Sequence, residues 1–387
     1  MKKTLKVGVI GGGIGGVTLA AALEQRGIEV HLFERAAAFG EVGAGIQMTP
    51  NAVKVLNALG AHDALAKVGF LPEALVGRDW SSGEESFRIP LKSDCPKLYG
   101  AEFFHVHRAD LHHLLTELLD TTTVTFNTQC TGVSQQGGKA VAHFADGSSF
   151  EADLIVGADG VRSEVRRSIF GEEEPKFTGN MCYRAVVPFD EMPDFVAPES
   201  SFWLGPKSHV VTYYVNGGKA VNIVAVNETA SWVEESWNAR STQQEMLQDF
   251  KDWHPNIVKL FERVTDVYRW GLFDRDPMTK WSAGRVTLLG DAAHRRGGEA
   301  LVAIGIRRRR GRRAQLRVVV GAGQDVERPV LAGGGGPGVD LDHLALEEAA
   351  HAADQAGALA LDHRVGTELL TDLGQHFLQA APAVRDR

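Results

Sequence analysis

Apolar residues change period along the chain, and the changes mark its elements. Residues 5–10, LKVGVI, form a β-branched run of the kind that fills a buried strand. The run enters GGGIGGVTLAAALEQRG, an alanine- and leucine-rich helical stretch that ends near Gly27, and EVHLFER then returns to strand character, closing on Glu34 and Arg35. Strand, helix and strand in this order predict a βαβ unit with parallel strands. Two later segments, ADLIVGADG and GRVTLLGDAAH, are buried strands ending at Asp159-Gly160 and at Gly290-Asp291, and HVHRADLHHLL sets Arg108 just ahead of an amphipathic helix. Between residues 175 and 270 the texture becomes a succession of strands: MCYRAVVPF, SFWLGP, HVVTYYV and KAVNIVAV. Asn216-Gly217-Gly218 between the last two is a hairpin signal. VTFNTQCTGV reads as another strand, and TQQEMLQDFKDWHPNIVKLFERV as a helical segment interrupted near Pro255.

The glycines give the first pattern its chemistry. Gly11-x-Gly13-x-x-Gly16 opens a helix directly after a strand. That spacing permits a tight turn, close approach of backbone to a pyrophosphate, and close packing of helix on strand. The helix N-terminus adds free N–H groups and a positive dipole end. Glu34 stands at the end of the second strand, where an acid would meet a ribose hydroxyl pair. A plain glycine-rich turn is the alternative, and the spacing alone does not separate FAD from NAD. The later acidic pairs sit where parallel strands stop, which is where α/β sheets bind ligands. An NAD dehydrogenase needs one such half. Four distant segments returning to one ligand imply a long, extended, buried cofactor.

Composition narrows the class. The chain has 387 residues, 44% of them hydrophobic and 23% charged, with a formal net charge of -8. That length suits two domains or one large composite domain, and the balance is that of a globular protein. The acidic charge argues against a nucleic-acid partner. Cys95, Cys130 and Cys182 lie far apart with no CxxC spacing, which fits a reduced, cytoplasmic setting. No apolar stretch suggests a secretory signal or a membrane partner. His105, His107, His112 and His113 cluster around Arg108, but irregular spacing and the lack of a matching Cys or acid set make a metal site the weaker reading. On HVVTYYV, His209 and Tyr213 are an even number of residues apart and share a face; if that face meets a cofactor, a base and a phenolic donor are presented together. A satisfied structural histidine is the alternative.

The motifs GGGIGG, GADG and GDAAH in this order, with FGEVGAGIQMTPNA and HRADLH, resemble the class A FAD-dependent aromatic hydroxylases over residues 5 to about 294. That group contains salicylate hydroxylase, 3-hydroxybenzoate 6-hydroxylase and 6-hydroxynicotinate 3-monooxygenase. The resemblance implies an α/β fold, a Rossmann-type FAD-binding domain interleaved with a β-sheet substrate domain. FAD binding would occupy residues 1–74, 107–174 and 271–294, with a substrate-domain excursion at 75–106 and the substrate domain proper at 175–270. Gly11, Gly13, Gly15 and Gly16 would face the diphosphate, and Glu34 the adenosine ribose. Arg35 would lie beside the adenosine, Arg108 near the diphosphate with Asp159 and Gly160, and Asp291 on the ribityl chain. Cys130 would pass the adenine or be an ordinary buried thiol. Gln47 would lie close to the isoalloxazine or the substrate. His209 would take the proton of a substrate hydroxyl and Tyr213 would orient the ring. Arg184 or Arg78 would pair with a substrate carboxylate, unless each is a surface ion pair.

The implied activity is a monooxygenase that uses NADH or NADPH and O₂ through a flavin C4a-hydroperoxide to hydroxylate a small aromatic substrate. A 3-hydroxybenzoate or salicylate type leads, and 6-hydroxynicotinate, with decarboxylation, follows. The implied assembly is a monomer or homodimer, without a metal.

After His294 the pattern breaks. The family has a proline there, then an apolar, glycine-rich segment opening a helix toward the flavin. Here Arg295 and Arg296 follow, then RRRRGRR, then a GGGGPG linker. From Ser282 to Arg387 the chain contains no Lys, Asn, Tyr, Trp, Met or Cys, all of which occur before. Residues 295–387 read as an atypical tail produced by a frame shift. The alternative is a divergent domain whose arginine run is solvated or meets a polyanion. Either tail would deprive the flavin of one wall, so weak FAD binding, leakage to H₂O₂, or a catalytically inactive FAD-binding protein is the competing expectation.

Overall fold

The computed structural model describes residues 5–40, 44–173, 176–191, 193–229, 240–274, 278, 280–293, 303–307 and 315–319. The arginine run beyond Arg307, at 308–313, Arg295, Arg296, the GGGGPG stretch and the helical segment beyond it lie outside these residues. Two sheets organise the main unit.

The first is a six-stranded, mostly parallel sheet. Its central strand, Lys6–Ile10, lies between Glu29–Phe33 and Leu154–Gly157. Val286–Leu288 extends one side in parallel and Thr123–Thr125 the other, with Ser282–Ala283 antiparallel at the edge. Val7 and Val9 are fully buried, as a strand covered on both faces must be. The helix Ile14–Glu24 covers this sheet and is itself buried nearly all round. Its close approach is possible because the small Gly16, Ala20, Ala21 and Ala22 lie along it.

The second sheet has eight strands and receives Ala74–Asp79 and Glu85–Pro90 from the middle of the chain. Lys176–Pro188, Ser200–Gly205, Ser208–Val215, Ala220–Glu228, Arg240–Ser241 and Val267–Asp274 complete it. The hairpin between Ser208–Val215 and Ala220–Glu228 turns through Asn216, Gly217 and Gly218, with φ of 53, 62 and 96. Three consecutive left-handed residues suit Asn and Gly and few others. One face of this sheet packs Trp203, Val210, Tyr214, Val221 and Ile223 against Met246, Phe250, Ile257 and Phe261 of two short helices, Gln243–Asp249 and Pro255–Phe261. The break near Pro255 is a helix start: Pro255 occupies the first turn and the His254 side chain accepts the Asn256 N–H at 3.2 Å.

VTFNTQCTGV is two strands, not one. Thr123–Thr125 stays in the parallel sheet, while Cys130–Gln136 pairs with Lys139–Phe144 in a separate three-stranded antiparallel sheet. The chain turns between them at Asn127, φ 54, where the Asn127 N–H reaches the Ala36 carbonyl and the Thr128 N–H the Glu34 carbonyl. Asn tolerates that conformation at low cost, and β-propensity alone does not reveal it. Separately, Ala303–Arg307 and Gln315–Val319 form an antiparallel pair belonging to a second unit. No helix among the described residues is long and apolar enough to cross a membrane.

Candidate active site

The parallel sheet gathers its motifs at one edge. The strands Val286–Leu288, Leu154–Gly157, Lys6–Ile10 and Glu29–Phe33 are neighbours in that order, and their C-terminal ends lead to Asp291, Asp159, the glycine turn and Glu34. Three backbone bonds tie these ends side by side: Leu289 N–H to Gly157 O at 2.8 Å, Ala158 N–H to Ile10 O at 2.7 Å, and Gly11 N–H to Phe33 O at 2.8 Å.

The glycines divide the work. Gly11 has φ 107, and a side chain there would strike the Ala158 carbonyl; at Gly16 it would meet the Gly11 carbonyl at 2.0 Å. Those two positions permit the turn and the close packing of helix on strand. Gly13, at the helix N-cap, has no atom within 4 Å of where its Cβ would stand. Gly15 leaves ordinary clearance to Leu289, 3.7 Å away. The open space therefore faces the helix N-terminus, where a diphosphate finds free N–H groups, and the residues present fit a dinucleotide.

Side chains hold this loop. Glu34 accepts the Gly12 N–H on Oε2 and the Ala36 N–H on Oε1, both at 2.8 Å. Each carboxylate oxygen keeps a lone pair for a hydroxyl donor. Arg35 is exposed next to it. Arg108 is the first residue of the helix Arg108–Thr116, and its backbone N–H reaches the Ala44 carbonyl at 2.8 Å. Asp159 turns toward its own chain: it accepts from the Ser163 hydroxyl at 2.5 Å and from the Glu164 and Val165 N–H groups, at the start of the helix Glu164–Phe170. Gly160 has φ 80. Asp291 is exposed in the short turn Gly290–Ala292. The Cys130 side chain belongs to the core with Phe144 and Val165, and burial raises its thiol to about 11.

Two residues of this framework escaped sequence reasoning. His112 Nε2–H donates to the Gly12 carbonyl at 2.7 Å and so holds the glycine turn from behind. Arg166, buried, reaches the Ala292 carbonyl at 3.4 Å and pairs with Glu173, joining the GADG helix to the GDA turn. For His112 the signal was present but lay within a histidine cluster. No group of described residues could hold a metal ion.

The second constellation lies on the inner face of the eight-stranded sheet. His209 and Tyr213 share that face and are 3% and 0% exposed. Tyr213 lies opposite Asn222, whose Oδ1 accepts the Gly45 N–H at 2.7 Å. Gly45 begins the strand Gly45–Met48; a side chain at Gly45 would strike Tyr213 and Asn222. Gln47 on this strand donates Nε2–H to Ser200 Oγ at 2.7 Å and pairs in register with His105. The His105 ring lies 4.6 Å from that of Tyr213. Burial lowers His105 to about 3, opposed by the Tyr214 backbone, and holds the Tyr213 phenol far above its ordinary range, opposed by Arg184. Several buried polar atoms here make no hydrogen bond among the described residues, Asn222 Nδ2 and Arg184 Nε among them, and the Tyr213 hydroxyl is buried beside them. Arg78 is placed elsewhere, bound to Glu199 at 2.6 Å and to Glu85 at 3.2 Å; it is an ion pair, but a largely buried one rather than the surface pair of the alternative reading.

A dinucleotide edge joined to a sheet lined with polar groups defines the class: a cofactor-dependent enzyme acting on a small molecule. A family profile described as FAD binding domain matches residues 4–297. A 3-amino-4-hydroxybenzoate 2-monooxygenase of Streptomyces cremeus is 41% identical over 293 residues, 76% of this chain and 73% of the relative. A 6-hydroxynicotinate 3-monooxygenase of Pseudomonas fluorescens is 37% identical over 299 residues, 76% of this chain and 77% of the relative. Klebsiella pneumoniae HpxO, solved with FAD and uric acid, superposes with a TM-score of 0.67 at 26% identity over 75% of this chain and 73% of that one. The chain belongs to the class A FAD-dependent aromatic monooxygenases, with FAD as its cofactor.

Proposed function

We propose that this chain hydroxylates a small aromatic acid already bearing a ring hydroxyl, with electrons from NADH or NADPH and an oxygen atom from O₂. 3-Hydroxybenzoate, salicylate, 3-amino-4-hydroxybenzoate and 6-hydroxynicotinate all carry that pair of substituents. The observation that carries this reading is the group of buried polar atoms without partners between the sheet and the strand of Gln47. A buried polar group left unpaired costs about 1–3 kcal/mol, so a ligand with complementary oxygens would be held there.

The redox chemistry, taking electrons from the nicotinamide and activating O₂, is supplied by bound FAD. Gly11, Gly13, Gly15 and Gly16 with the helix N-terminus would hold its diphosphate, Glu34 its ribose, and Arg35, Arg108, Asp159, Gly160, Asp291 and the Cys130 backbone would line the remainder. His209 accepts the proton of the substrate hydroxyl on its imidazole, and the resulting phenolate pushes electron density to its ortho and para carbons. Tyr213 stays protonated because burial disfavours its phenolate, so it donates its O–H and orients the ring. Gln47 completes the wall. The closed setting keeps water from the reacting centre. The enzyme works in the cytoplasm as a monomer or homodimer, without nucleic-acid or membrane partners.

The test is the absorbance of the purified chain followed by NADH and NADPH oxidation with the four acids. A flavin spectrum and oxidation stimulated by at least one acid with product formed are expected. A second reading, FAD binding without turnover, is favoured by the family match ending at 297. Yellow protein whose nicotinamide oxidation no acid stimulates would select it, and colourless folded protein would reject both.

A further inference from the structure

Arg184 shares the inner face with His209 and Tyr213. Its register partner is Val224, which also pairs with Val211 on the next strand, and His209 and Tyr213 flank Val211 on the same side. Strands lie about 4.8 Å apart, so Arg184 starts roughly 10 Å across the sheet from them, about the span of a substituted benzene ring and two side chains. Its Nη2–H donates to the Gly45 carbonyl at 3.2 Å, and its guanidinium lies over Trp270, 5.0 Å from the ring centre. Those contacts fix the plane of the fork, while Nε is buried and makes no hydrogen bond. Arg78, by contrast, has two carboxylates. Among the described residues no carboxylate pairs with Arg184. Arg184 is half-buried; an ionised guanidinium partly withdrawn from water without a counter-ion is costly, and a preoriented one suits a planar carboxylate.

We propose that Arg184 is the anchor for the substrate's carboxylate and thereby selects aromatic acids over neutral phenols. This rests on the reading that the inner face receives a hydroxylated aromatic acid. The ring hydroxyl lies toward His209 and Tyr213 and the carboxylate toward Arg184 and Trp270, so the sheet reads both substituents from one face. The positive charge also steadies the phenolate formed near Tyr213.

The experiment measures, on the full-length FAD-loaded protein, the binding of the best acid of the panel and of its primary amide. Quenching of protein fluorescence follows the titration. Arg184→Gln is expected to weaken the acid by roughly 10- to 100-fold, the size of one or two charge-assisted hydrogen bonds, while the amide changes less than about threefold on the same scale. Arg184→Lys keeps the charge without the fork and should weaken the acid by an intermediate factor. It also serves if the glutamine variant does not fold. Equal losses for acid and amide, an unchanged acid affinity, or loss of FAD alone would overturn the assignment. Wild-type protein that binds acid and amide equally well would overturn this inference alone, whereas wild-type protein that binds neither would also remove the proposed function.

Discussion

His209 and His105 are both buried histidines beside Tyr213's face of the sheet, and their surroundings give them different work. His209 is on the eight-stranded sheet itself, in line with Tyr213. Replacing it by Ala should leave FAD bound and cut hydroxylation by roughly 10²-fold or more, the reach of general-base catalysis; product formation against flavin content measures this, and full turnover would remove His209 from the mechanism. His105 is held among Phe70, Phe103 and Tyr213. Folded, it stays neutral down to about 3; unfolded, it takes a proton near 6.5. The unfolded state therefore binds more protons between those values, and stability falls as pH drops from 6.5 toward 3, by about 1.4 kcal/mol per pH unit for this group. His112, also lowered by burial, acts in the same direction. His105→Phe should flatten the dependence of urea-unfolding free energy between pH 6.5 and 5 by about that slope. Parallel curves for the two proteins would contradict this.

At the scale of elements, the turn from the strand Lys6–Ile10 into the helix Ile14–Glu24 separates stability from binding. A methyl at Gly16 would lie 2.0 Å from the Gly11 carbonyl, so Gly16→Ala must push the helix off the sheet. It should lower stability by several kcal/mol, beyond the roughly 1–3 kcal/mol of ordinary overpacking. Gly13→Ala meets nothing within 4 Å, and Gly13 has φ -72, open to any residue. That variant should fold with near-native thermal stability yet bind FAD at least roughly tenfold more weakly, because the methyl would stand in the open space proposed for the diphosphate. Thermal melts with flavin titration distinguish the two, and a Gly13→Ala protein with full FAD affinity would place the diphosphate elsewhere. His112 and Arg166 act between elements in the same way, each joining a motif to a carbonyl far along the chain. Their partners are distant in sequence, which is why spacing alone did not reveal them.

For the whole molecule, the family match ends at 297 and the motif pattern breaks just after His294, within the stretch of altered residue usage that starts at Ser282. The coincidence predicts that a second frame of the gene, opening just after the His294 codon, encodes a proline and then an apolar, glycine-rich segment. Sequencing across this point checks it. An intact single frame encoding these same residues in related strains would end the idea. With the present tail, FAD affinity and coupling should fall short of a frame-restored chain.

The sequence by itself determined the parallel nucleotide-binding half, because glycine spacing, β-branched runs and terminal acids are local requirements that any fold must meet where they stand. It also placed the hairpin at Asn216-Gly217-Gly218 and put His209 and Tyr213 on one face, since strand alternation is set residue by residue. The division of VTFNTQCTGV, the engagement of Arg78 by Glu199, and the convergence of Arg184, Asn222, Gln47 and His105 around Tyr213 were decided by tertiary structure alone. Those depend on which strands become neighbours across long stretches of chain, and no period in the residues encodes a partner that far away.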